Sequence, residues 1–287
     1  GNEEEAAEGL VARAVTYALI EEPAELARQL AEQCVVVTDG LDRPDLRSLA
    51  LNYRAISQCA AGAQPDVTDF HDAIRLALDH GHLELAARAY ANLTFELMLS
   101  REPSASVIPA LDEALAFLQD HDFASHAFDV LARKATVQFV LGSWDEAERQ
   151  LRELRATTEQ HGLIDLIALE SLVRIAIRRG DDDADVMLSA AWGLARRCGA
   201  APYIGLIGVI RLEHAWLAED LTSAQARLAD LPLPRLRPRL RAEALRYAQL
   251  AGVTVPLRDD DAEPWSSGLC GDWQAAAAAW ERDGRPY

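Results

Sequence analysis

Apolar side chains along this sequence recur at spacings of three and four. Within 144–161, Ala147, Leu151, Leu154 and Thr158 fall on one stripe, while Glu148, Arg152, Arg155 and Glu159 take the other face. Within 104–120, Val107, Ile108, Leu111, Leu115 and Leu118 repeat the pattern. This is the signature of amphipathic helices. Period-two alternation is nearly absent, and Val35-Val36-Val37 is the longest β-branched run. Breaker residues punctuate the stripes at a fixed interval. One series is Gly40, Gly81, Asp122, Gly162 and Gly199; the other is Gly62, Glu102, Gly142, Gly180 and Glu219. Each has a step near 40 residues, and together they mark a turn about every 20.

One helix plus one short turn fills each interval. The predicted pairs are 23–38 with 44–61, 67–80 with 82–100, 104–120 with 123–141, 144–161 with 163–180, and 183–198 with 201–218, preceded by a lone helix over 4–20. Ser143-Trp144-Asp145-Glu146 reads as a capping box, and Thr222-Ser223-Ala224-Gln225 as a weaker one. A two-faced hairpin cannot bury its apolar stripe alone, and stacking buries it. The expected fold is all-α: a right-handed superhelical stack of about six hairpins resembling tetratricopeptide repeats, with a period near 40 residues. A closed α-bundle is the structural alternative. The hairpin stack is expected to span 1–230. Residues 231–287 read as an irregular Pro/Arg-rich segment followed by C-terminal repeat elements: helices at 239–251 and 272–282, and a loop from Val255 to Ser267 containing Asp259-Asp260-Asp261.

The chain of 287 residues is half hydrophobic, so it can bury a sizeable core. Its net charge of −18 disfavours direct nucleic-acid contact. No apolar stretch is long enough to cross a membrane, and the acidic start carries no signal peptide, so a cytoplasmic location is expected. The chain opens on Gly1 rather than Met and stops part-way through a repeat, so it reads as a piece of a longer protein. Cys34, Cys59, Cys198 and Cys270 are widely spaced and read as reduced thiols.

Few motifs carry chemistry. Asp181-Asp182-Asp183-Ala184-Asp185 matches the D-D-x-x-D pattern with which all-α terpenoid synthases hold magnesium and a diphosphate. At a hairpin boundary, the same residues complement a helix dipole. His80, His121 and His161 recur at the ends of first helices, which suits a repeat position better than a metal site. There is no P-loop and no G-x-S-x-G elbow. No cofactor or metal is expected. Two groups of residues are candidates for binding a ligand or partner. Trp192 and Arg196 stand one turn apart and can present an aromatic face and a cation together. Arg235, Arg237 and Arg239, with Arg241 and Arg246, form the basic cluster. It reads either as a solvated linker and helix face or as a docking strip for an acidic partner domain.

The run Leu141-Gly142-Ser143-Trp144-Asp145-Glu146-Ala147 resembles the hairpin entry of large ATP-binding bacterial regulators of the LuxR type. Arg178-Arg179-Gly180-Asp181 and Arg211-Leu212-Glu213-His214-Ala215-Trp216-Leu217-Ala218-Glu219-Asp220 are similar to strips of that family. So is Gly271-Asp272-Trp273-Gln274 through Trp280 to Gly284-Arg285-Pro286-Tyr287. The resemblance covers roughly 67–287, and Glu219 stands where the family often has Gly. It implies a helical-repeat region between an ATPase module and a helix-turn-helix, neither of which lies in this sequence. The expected role is a sensor and protein-interaction segment without catalysis. Its partners would be other modules of the same regulator, partner proteins or a small inducer. The alternatives are a freestanding adaptor for peptides or proteins and an all-α terpenoid-type enzyme.

Overall fold

A computed structural model describes residues 2–20, 24–60, 67–100, 104–157, 162–199, 201–256 and 263–282. The helices are Asn2–Ile20 (α1), Ala24–Asp39 (α2), Pro44–Ala60 (α3), Val67–Asp79 (α4), Leu83–Ser100 (α5), Ile108–Asp120 (α6), Ala124–Val140 (α7) and Trp144–Ala156 (α8). They continue with Leu163–Arg179 (α9), Ala184–Cys198 (α10), Ala201–Leu217 (α11), Leu221–Ala229 (α12), Pro238–Leu250 (α13), Trp265–Leu269 (α14) and Trp273–Arg282 (α15). Among the described residues there is no strand, and no helix is long and apolar enough to cross a membrane. The expectation of an all-α chain is met.

The breaker residues act through one recurring turn. Gly81, Asp122, Gly142, Gly180 and Glu219 all take positive φ, as do Gly252 and Gly271 further on. In each case the following amide reaches back to a carbonyl five residues earlier: His82 to Ala77, Phe123 to Leu118, Ser143 to Gln138, Asp181 to Ala176 and Asp220 to Ala215. Val253 to Ala248 and Asp272 to Ser267 repeat the closure. These bonds satisfy carbonyls at the helix end and send the chain directly into the next helix. Gly199 also has positive φ, whereas Gly162 is extended, with φ −152°. Gly62 and Glu102 lie outside the described residues, as do His161, Asp259-Asp260-Asp261 and the strip 284–287.

Both capping boxes need correction. Ser143 is the N-cap of α8, but its side chain makes no capping hydrogen bond. Its amide already donates to Gln138, so Glu146 has nothing to reach back to and pairs with Arg149 and Gln150 instead. For α12 the cap is Asp220, not Thr222: the Asp220 carboxylate accepts from the Ser223 amide at 2.9 Å. The turn at Glu219 starts the helix two residues earlier than the sequence suggested. Another departure is α14, which occupies part of the expected loop. Glu263 fastens its first turn by accepting from the Ser267 amide (3.3 Å) and hydroxyl (2.8 Å). A one-turn helix is too short to show periodicity.

The helices form two compact units, Gly1–Ser100 with Pro109–Val130, and Arg101–Ile108 with Leu131–Tyr287. In the first, each of α1–α5 packs on the next, and α1, α3 and α5 also touch in a row. Alanines 27, 31, 50, 73, 86 and 87 are fully or almost fully buried there, which lets helix backbones approach closely. In the second unit, α8 to α12 pack in succession, and α9, α11 and α13 form the corresponding row. Its core holds Leu166, Ile175, Ile207, Ile210, Leu212 and Leu240. A Cβ at Gly208 would lie 2.2 Å from Leu231, so glycine here lets the 231–236 segment settle on α11. Pro238 then opens α13, where its missing N–H costs nothing.

Candidate interaction site

The row α9–α11–α13 carries a buried charge cluster. Arg174 and Arg178 are four apart and share one face of α9. Arg174 Nη2 lies 3.1 Å from Glu243 Oε1 of α13, and its Nε lies 3.2 Å from Glu213 Oε2 of α11. The second contact is close in charge but not aligned as a hydrogen bond. Arg178 Nε donates to Glu213 Oε1 at 2.5 Å, and Arg239 Nη1 donates to Glu243 Oε2 at 3.1 Å. Both carboxylates are almost fully buried. Burial works against the Arg174 charge, but Glu243 and Glu213 more than offset it, so its pKa rises. Burial pushes the Tyr247 phenol well above its ordinary value, and Glu213 and Glu243 push it further. Glu170, one turn before Arg174, keeps some solvent access. Burial nevertheless raises its pKa, with Arg174 and Arg239 opposing.

This cluster corrects the reading of the basic strip. Arg235 is exposed, but Arg237, Arg239 and Arg241 are buried. The alternation Arg-x-Arg suits a solvated strand of linker. Pro238 instead starts a helix, and Glu243, four residues after Arg239, draws its charge inward. Of Arg235, Arg237, Arg239 and Arg241, Arg235 alone is exposed. Arg246 is half-buried, with its guanidinium 4.6 Å from the centre of the Trp273 ring. Trp192 and Arg196 are differently placed, one half-buried and one exposed. Arg211 of α11 covers the Trp192 ring at 4.2 Å and also pairs with Asp230, while Arg196 lies exposed on α10.

The Asp181–Asp185 run sits at the turn into α10, with Asp182, Asp183 and Asp185 exposed. Asp185 Oδ1 is 3.3 Å from His214 Nε2. Burial and the neighbouring Arg227 lower the His214 pKa against the pull of Asp185. Among the described residues, no group of three or more His, Cys, Asp or Glu side chains is arranged to hold a metal ion. His80 and His121 instead place Nδ1 at 3.0 and 2.9 Å from the carbonyls of Leu76 and Phe117, tying down the last turn of their own helices. All four cysteines are free, and burial pushes the Cys34 thiol up to about 11.

Two features escaped the sequence reading. A ladder of rings runs Trp216–Tyr247–Trp265–Trp280, with centroids 5.6, 5.7 and 4.9 Å apart. Trp265 lies in the expected loop, and the Gly252-to-Gly271 interval of 19 residues was the signal for a helix there. The second is a cleft of about 440 Å³ lined by Trp216, Leu217, Glu219, Leu250 and Ala251. No protein-family model matches the sequence, and no curated protein matches it.

Proposed function

We propose that this chain is the sensor and protein-interaction segment of a LuxR-type transcriptional regulator, built as a right-handed superhelical stack of TPR-like hairpins. The observation that carries the reading is the recurring left-handed turn at Gly81, Asp122, Gly142, Gly180 and Glu219, which supports a tandem repeat. The strips that resemble the regulator family fall on these turns: Gly142-Ser143-Trp144, Gly180-Asp181, Glu219-Asp220 and Gly271-Asp272-Trp273. Stacked hairpins offer an extended surface to other modules of the regulator, to partner proteins or to a small inducer. A ligand that prefers one spacing of the α9–α11–α13 row shifts the population toward it, and a coupling of about 1–3 kcal/mol suffices to gate a neighbouring module.

The test is an in-frame replacement of residues 1–287 by a flexible linker in the natural gene. The proposal expects promoter binding by the rest of the protein to survive and its response to inducer or partner to vanish. A preserved response sinks the reading.

A further inference from the structure

Leu217 and Leu221 flank the turn between α11 and α12, and Leu250 ends α13. All three are large apolar side chains left exposed, at 44%, 43% and 38%. The cleft runs between that turn and the end of α13, with the half-buried Trp216 forming part of its wall. Exposed apolar side chains are ordinary singly, but Leu217 and Leu250 line one depression together with Trp216, and Leu221 lies beside Gly252 next to it, which marks an interaction surface. Glu219 stands at the lip. Its φ of 53° is a conformation the other hairpin turns mostly give to glycine, and a side chain there costs roughly 1–2 kcal/mol. Its carboxylate is exposed and makes no hydrogen bond or ion pair with described residues. The chain's net charge of −18 opposes a second copy or an acidic partner.

We propose that this cleft docks a basic amphipathic segment of a partner protein. Apolar side chains of the segment fill the space lined by Trp216, Leu217 and Leu250, and a cationic side chain meets Glu219. This is helix-in-groove recognition with the charge supplied by the partner. It goes beyond the regulator assignment and does not depend on it.

Calorimetric titration of the whole chain tests the proposal. The probe is an amphipathic Leu/Lys helical peptide of about five turns, compared with a Ser/Lys peptide of equal charge and a Leu/Glu peptide. The expected result is one-to-one binding of the Leu/Lys peptide only. Leu217→Ser combined with Leu250→Ser should weaken it by at least about tenfold. Glu219→Gly, which relaxes the turn and so keeps the fold, should weaken it by about threefold, with the difference vanishing at high salt. Val186→Ser, which alters an exposed apolar residue of α10, serves as the control. The proposal is overturned if the cleft variants bind as wild type, if Val186→Ser weakens binding equally, or if the Ser/Lys or Leu/Glu peptide binds as tightly. A failed titration leaves the gene-replacement test untouched.

Discussion

Arg174 on α9 reaches Glu243 on α13 at 3.1 Å, while holding Glu213 of α11 at 3.2 Å on its other side. One guanidinium therefore bridges α9, α11 and α13. Buried ion pairs add little net stability when formed, but removing one partner strands a charge. Arg174→Met is expected to cost about 3–5 kcal/mol, read by urea unfolding. A loss below about 1 kcal/mol would mean that the carboxylates find other partners and that the bridge is dispensable.

Glu170 gives the cluster a pH dependence of defined sign. It faces Arg174 on its own helix, Arg239 and Glu243 of α13, and Arg133 of α7. Its folded pKa lies above the ordinary glutamate value. Between those two values the folded protein holds a proton that the unfolded chain has released, so stability falls as pH rises through that window. Above it, the ionised carboxylate is a standing cost. Glu170→Gln should therefore be more stable than wild type at neutral pH, and the two should converge in acid. Parallel denaturation curves across pH would expose the error if the variant were less stable at neutrality.

The turn at Glu219 makes a simple stability prediction. Glu219→Gly should gain about 1 kcal/mol by relieving the left-handed strain, with Asp122→Gly gaining less because Asp tolerates that region better. Glu219→Ala should gain nothing. Thermal unfolding distinguishes the three, and a destabilised Glu219→Gly would refute the strain.

Arg211 rather than Arg196 is the partner of Trp192. A double-mutant cycle on Trp192 and Arg211 should return a coupling of about 0.5–1 kcal/mol, and one on Trp192 and Arg196 a value near zero. Coupling to Arg196 instead would restore the pairing along α10.

The helices were legible in the sequence because amphipathic stripes and breakers both carry a period. Asp122 and Glu219 could be placed in the glycine series by spacing alone. What the sequence hid depends on where faces point. Arg237, Arg239 and Arg241 read as a solvated strip because what buries this face lies on other helices: Glu243, the partner of Arg239, is itself held by Arg174 of α9. That Arg211 covers Trp192 was not legible because the two are 19 residues apart, on different helices. The cap at Asp220 was missed because the left-handed turn before it shifts the helix start.

The central claim is that these hairpins serve a LuxR-type regulator, and it is tested most directly by reading the coding sequence on either side of the segment in its natural gene. The account predicts a P-loop ATPase module upstream and a helix-turn-helix downstream, in frame. A gene encoding neither would contradict it and leave a freestanding helical adaptor.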